Sequence, residues 1–125
     1  MKKLSIDKIQ KLYDKCLSLV RRKPPEFFLF KKMRGFQGSC NWDDIEIDPR
    51  GDFISTAYHE CIHYINPEWS ESQVVYAESR MRNVLSYFDQ ARFLKCISVK
   101  LYKSELQRRN AIAAKKKKVK KSKRN

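Results

Sequence analysis

The chain has 125 residues, a length that allows one domain with a single core and argues against a multidomain protein. A hydrophobic content of 42% is sufficient to build that core. The formal net charge is +14, of which eight units lie in residues 115–124, so the rest of the chain is only moderately basic. The composition predicts one domain at residues 1–114 and a basic tail at residues 115–125, which is expected to be disordered because lysine-rich sequence cannot form a packed core.

The N-terminus lacks the apolar segment of a secretory signal, and no apolar run is long enough to span a membrane. The four cysteines are far apart and form no CxxC pair, which argues against a zinc ribbon. We therefore expect reduced cysteines, an intracellular, cytoplasmic location and no membrane partner.

The first half of the chain predicts one helix and two strands. Residues 5–21 have an amphipathic helical pattern that Ser5 can cap and that ends before Pro24. A continuous apolar run predicts a covered strand at residues 26–33, and residues 35–39 have the composition of a turn. Alternation at residues 44–48 predicts a second, half-exposed strand.

The second half predicts three helices. Asp52 can cap a helix that runs to about Ile65, and Ser70 with Gln73 forms a capping box for the next. An apolar stripe continues along that helix to Phe88, with an interruption expected at residues 89–90. A last helical pattern continues to about Ala114. The predicted fold class is α+β: an N-terminal helix, a small sheet and three further helices.

His59, Glu60 and His63 form an HExxH motif that contains both histidines of the chain. On a helix this spacing places both imidazoles on one face, where they can bind one Zn²⁺. Glu60 projects from the same helix and can reach a water molecule beside the metal, the position of a general base in a zinc hydrolase. The alternative is a pair of surface histidines on an ordinary helix.

With its uncharged flanks, this helix resembles the active-site helix of zincin metallopeptidases. The order of strand, motif helix and second helix over residues 26–88 also resembles the minimal zincin core, and its brevity is similar to that of compact, phage-type members. The resemblance implies a zincin-like fold, a zinc cofactor and hydrolysis of a peptide or protein substrate. It also implies that the substrate pairs with the strand at residues 44–48.

A catalytic zinc usually has three protein ligands, and the chain has no third histidine. A carboxylate, as in the gluzincins, is therefore expected, and Glu68, Glu71 and Glu78 are near. Glu78 is favoured because it shares an apolar helix face, where an unpaired carboxylate is costly. Glu71 is the alternative ligand, although it would also favour the start of a helix, and Glu68 is expected in a solvated turn. Arg80 or Arg82 could instead pair with these carboxylates.

Two supporting roles remain open at the level of sequence. Tyr58, Tyr76 or an arginine could donate a hydrogen bond to the developing oxyanion of the substrate. Asp43 or Asp44 could orient a histidine ligand, or could be solvated charges at the end of a strand.

A second class of function is a nucleic-acid-associated protein with a structural or inactive zinc site and a phosphate-binding tail. The alternative for the tail is a solubilising role, and a third class is a helical interaction module without metal. The candidate nucleic-acid contacts are Lys115, Lys116, Lys117, Lys118, Lys120, Lys121, Lys123 and Arg124.

Overall fold

A computed structural model of the protein describes residues 3–31, 38–41, 43–48 and 50–124, with side chains as far as residue 119. Four helices and a three-stranded sheet form an α+β fold, as the sequence predicted. The elements are α1 (Ile6–Arg22), β1 (Phe28–Phe30), β2 (Gly38–Cys40), β3 (Ile45–Ile47), α2 (Phe53–Ile65), α3 (Glu71–Val84) and α4 (Tyr87–Arg124).

The first three helices begin where local capping signals predicted. The side chain of Ser5 accepts a hydrogen bond from the backbone of Lys8 at the start of α1, and Asp52 does the same at the start of α2. Ser70 and Gln73 form a complete capping box on α3. These side chains satisfy backbone N–H groups that have no partner within the helix, which fixes the first turn.

The sheet has the order β1-β3-β2, with β3 parallel to β1 and antiparallel to β2. Ile45 and Ile47 are fully buried and Glu46 between them is only partly buried, which confirms the predicted alternation for these three residues. Asp48, predicted on the exposed side with Glu46, lies beyond the end of β3 and is buried. The segment that was predicted as the first strand starts with a 3-10 turn at Pro25–Phe27, and β1 follows it. Residues 32–37, which carry the end of that predicted strand and most of the predicted turn, lie outside the described residues.

Two expectations about the sheet were wrong. Residues 38–39 were predicted as part of a turn but belong to β2. The strand at residues 44–48 was expected to pair with substrate, but β3 is central and both of its edges are already hydrogen-bonded to neighbouring strands. Among the described strands, β1 and β2 lie at the edges, and it is β2 that packs against α2.

The boundary between α3 and α4 differs from the predicted interruption at residues 89–90. Leu85 is extended, and the hydroxyl of Ser86 accepts a hydrogen bond from the backbone N–H of Asp89, so the break between the helices lies four residues earlier than expected. Phe88 was predicted to be the last residue of the apolar stripe on the helix before the break, but its side chain is 73% exposed. The apolar pattern continued smoothly across the break, so periodicity alone did not show the local cap at Ser86.

The C-terminal helix is longer than predicted. The structure continues α4 through residues 115–124, where a helix end near Ala114 and a disordered tail were expected. Lysine composition excludes a packed core, but it does not exclude helical backbone, since lysine has a high helix propensity. Cations are also favourable near a helix C-terminus. Residue 125 of the predicted tail lies outside the described part.

The core joins all four helices to the sheet. Its largest fully buried side chains include Tyr13, Phe28, Tyr58 and Phe93, and the ring centroids of Tyr58 and Phe93 are 4.5 Å apart. Within the described residues, no helix combines the length and the apolar character needed to cross a membrane. The four cysteines are free thiols.

Candidate metal centre

His59 and His63 lie one turn apart on the same face of α2, as the HExxH spacing predicts. The centroids of their rings are 4.7 Å apart, and their two Nε2 atoms are separated by 3.1 Å. Both rings are mostly shielded from solvent. Two nitrogen atoms of the type that binds zinc therefore point to one place.

Glu71 brings a carboxylate to the same place. It is the first residue of α3, and its Oε1 lies 2.7 Å from Nε2 of His59 while its Oε2 lies 2.8 Å from Nε2 of His63. One atom from each of the three side chains lies within 4.8 Å of the others, so the group could hold a metal ion.

Glu78, the favoured third ligand in the sequence analysis, has a different position. Its Oε1 lies 3.5 Å from Nδ1 of His59, not from Nε2. Burial was a poor guide to the third ligand. The more buried carboxylate, Glu78, is 19% exposed and lies at Nδ1, whereas Glu71, which lies at both Nε2 atoms, is 68% exposed. The short connection between Ile65 and Glu71 decides the geometry by placing the start of α3 beside the end of α2. Glu71 therefore replaces Glu78 as the third candidate ligand.

The donor set fits zinc in type and in spacing. Two imidazole nitrogens and one carboxylate are a common ligand set of catalytic zinc, and tetrahedral bonds of about 2.0–2.1 Å place donors about 3.3 Å apart. The Nε2 atoms of His59 and His63 are 3.1 Å apart, and the oxygens of Glu71 are 2.7 and 2.8 Å from them. The oxygens of Glu71 would therefore have to move away from the two nitrogens by about half an ångström to match the tetrahedral spacing.

Glu78 also affects the protonation of His59. Its hydrogen bond to the ring raises the pKa of His59, and burial opposes this effect. A neutral His59 that donates its Nδ1 proton to Glu78 has an unprotonated Nε2, the form that binds a metal. Glu78 is thus the carboxylate at Nδ1 of His59, the position from which the sequence analysis expected Asp43 or Asp44 to orient a histidine.

Glu60 is a buried carboxylate beside these groups, with only 6% of its surface exposed. The pKa of Glu60 is raised to about 7, mainly by burial; the charge of His59 acts to lower it, and the carboxylates of Glu71 and Glu78 act to raise it. A carboxyl group with this pKa can take up and release a proton near neutral pH.

A cavity of about 680 Å³ opens onto the candidate metal centre. It is bounded by α2 and α3 on one side and by β2 on the other. The lining residues are Gly38, Ser39, Cys40, Ser55, Thr56, His59, Glu60, His63, Pro67, Glu71 and Glu78.

Gly38 allows β2 to approach α2 closely. A Cβ atom at this position would lie 2.8 Å from Cγ of Glu60 and 2.9 Å from Cγ2 of Thr56, closer than side chains pack. The absence of a side chain at Gly38 therefore lets β2 pack directly over the general-base candidate.

Several other candidates lie away from the cavity. Tyr58 is fully buried against Phe93, so it is not placed to donate to a substrate oxyanion. Tyr76 lines a separate depression on the outer side of α3. Asp44 bonds with Asn41, since its Oδ1 accepts from the side-chain amide and its backbone N–H donates to the amide oxygen.

The arginines that offered another explanation for the carboxylates bond elsewhere. Arg80 donates to the backbone carbonyl of Leu4, and Arg82 lies 3.9 Å from Asp52. Glu68 is exposed in the connection between α2 and α3, as expected. The described lysine side chains at positions 115–118 are exposed on α4, and none of them lines the cavity.

The sequence analysis missed the β2 wall of the cavity. Gly38, Ser39 and Cys40 follow a segment with turn composition and have no alternating pattern. The close approach of Gly38 to Glu60 depends on tertiary packing, and only the glycine itself was a signal for it.

Comparison of the chain with protein-family models, with curated proteins and with solved structures found no match in any of the three.

Proposed function

We propose that the protein is a zinc-dependent peptide hydrolase in which His59, His63 and Glu71 hold the metal and Glu60 is the general base. The observation that carries this proposal is the convergence of the Nε2 atoms of both histidines with the carboxylate of Glu71 at a cavity that Glu60 also lines. The zincin resemblance of the sequence supports the reaction type, and the third ligand is taken from the geometry.

Zinc, when bound by these residues, polarises the carbonyl of the scissile bond and acidifies a water molecule. Glu60 accepts the proton that the water loses and donates it to the leaving amine. Its burial supports this role, since burial raises the pKa of the carboxyl group towards neutrality, where the group can both accept and donate a proton. Glu78 lies at Nδ1 of His59 and orients the ring, so that in the neutral histidine the proton is on Nδ1 and Nε2 is available to the metal.

We also propose that β2, rather than β3, is the strand that orients an extended peptide. β2 is an edge strand among those described, it lines the cavity, and Ser39 at its centre lies between Gly38 and Cys40 on the cavity wall. Edge pairing uses backbone hydrogen bonds and therefore tolerates different side chains in the substrate.

The test measures metal content and hydrolysis in the same samples. Freshly purified protein is expected to contain one zinc per chain by elemental analysis, and His59→Ala and His63→Ala are expected to contain none. Glu60→Gln is the matched variant that should keep the zinc and lose cleavage of a mixed peptide library. Full zinc content in both histidine variants would exclude this site, and unchanged cleavage by Glu60→Gln would exclude the mechanism.

A second candidate function is a nucleic-acid-associated protein whose zinc site is structural or inactive. One observation favours it: the basic segment continues α4, and its described side chains, at residues 115–119, are exposed. The two functions are compatible, because a hydrolase held on nucleic acid would act on proteins bound there.

A further inference from the structure

The C-terminal half of α4 leaves the body of the protein as a single helix. Phe93, Ile97 and Leu101 anchor the first half of α4 in the core, and Ser104 is the last buried residue. All described side chains from residue 106 to residue 119 are exposed. With a rise of about 1.5 Å per residue, the part from Ser104 to Arg124 is about 30 Å long.

Beyond Glu105, every charged residue of this projecting segment is basic. The last acidic residue of the chain is Glu105, which pairs with Arg108 and Arg109. The lysines at 115–118 are followed only by neutral and basic residues. No carboxylate on the same helix is within the three- or four-residue spacing needed to pair with them, so they repel one another until an external anion neutralises them.

The lysines surround the helix axis. Four consecutive residues of an α-helix are about 100° apart, so the side chains at 115–118 leave the helix in all directions. The large apolar side chains exposed in this part are Leu106, Ile112 and Val119. Ile112 and Val119 share a helix face, but Lys115 and Lys116 occupy the positions between them on that face, so the continuous apolar face of a membrane-surface helix is absent from these described residues. The charge therefore suits a partner that presents anions on more than one side.

We propose that residues 115–124 of α4 form a docking helix for the phosphate backbone of double-stranded DNA. A helix about 10–12 Å wide fits the major groove of B-form DNA, which is about 12 Å wide and has phosphates on both rims. The deep, narrow major groove of an RNA duplex does not admit it. The contacts are to phosphates, so binding is independent of base sequence and weakens as salt rises. This proposal does not depend on the proposed hydrolysis.

The test compares two variants of the full chain that lose the same charge at different places. One replaces Lys115, Lys116, Lys117 and Lys118 by glutamine. The control replaces Lys3, Lys8, Lys11 and Lys15, which are exposed before and along α1. Fluorescence anisotropy with a labelled 20-base-pair DNA duplex gives the dissociation constant at several salt concentrations.

We expect the α4 variant to have a shallower plot of log affinity against log salt. The magnitude of the slope should fall by about 3–4, since each lost phosphate contact removes about 0.9. At low salt its affinity should fall on the order of tenfold or more, and the control should keep the wild-type slope. An equal loss in the control would overturn the proposal, because net charge alone would then explain binding. Equal or tighter binding to an RNA duplex, or binding only to phosphatidylserine vesicles, would also overturn it.

Discussion

Oε1 of Glu78 lies 3.5 Å from Nδ1 of His59, on the edge of the imidazole ring opposite the nitrogen that faces His63. The two carboxylates of α3 therefore have different relations to the same histidine. Glu71 contacts Nε2, where a metal would bind, and Glu78 contacts the nitrogen that sets the tautomer.

This difference predicts how zinc binding responds to the two substitutions. Glu71→Ala removes a ligand and is expected to abolish stoichiometric zinc. Glu78→Ala removes an orienting partner and is expected to weaken zinc binding by about 10–100-fold, the usual effect of losing such a partner. A competitive zinc titration against a chromogenic chelator measures both. A greater loss in Glu78→Ala than in Glu71→Ala would restore Glu78 as the ligand.

The capping box of α3 gives a second prediction. Ser70→Ala removes the side chain that accepts from Gln73, and Ser5→Ala removes the equivalent cap at the start of α1. Each is expected to lower the free energy of unfolding by about 1 kcal/mol. Only Ser70→Ala should also weaken zinc binding, since Glu71 is the next residue. Urea unfolding and zinc titration of both variants test this, and equal zinc affinities would show that the cap does not position Glu71.

The close packing of β2 on α2 predicts the effect of Gly38→Ala. The added Cβ would meet Glu60 and Thr56 at less than 3 Å, so β2 or Glu60 must move. We expect a loss of about 1–3 kcal/mol in stability and a loss of peptide hydrolysis, with zinc retained because the ligands lie on α2 and α3. Adding Thr56→Ser removes one of the two contacts and should recover part of the stability. If the stability does not recover, the strain does not come from the contact with Thr56.

Cys40 gives a prediction about pH. Burial, together with the nearby charge of Glu60, raises the pKa of Cys40 to about 11. The thiolate is the reactive form, so alkylation of Cys40 by iodoacetamide should be slow at pH 8 and should rise about tenfold per pH unit until the pH approaches that pKa. Glu60→Gln should accelerate it by removing the negative charge. Mass spectrometry of the labelled peptide measures the rate, and a plateau below pH 9 would contradict the prediction.

Local sequence signals predicted the helices well. Ser5, Asp52 and the capping box at Ser70 depend on contacts within three residues, so they can be recognised without knowledge of the fold. The HExxH spacing likewise fixes the relation of His59 to His63. The choice between Glu71 and Glu78 depends on how α3 turns back along α2, and the β2 wall depends on packing between distant segments. Those contacts have no signature in a short stretch of sequence.

The order of the strands also has a consequence for folding. β2 precedes β3 in the chain, but it is joined to the sheet only through β3, which must insert between β1 and β2. Loss of β3 packing, for example by truncation of the fully buried Ile47, would therefore leave β2 held only by its contact with α2. We expect partial unfolding of this kind to loosen the β2 wall of the cavity at a lower free energy than that of global unfolding, while the candidate metal ligands on α2 and α3 stay together.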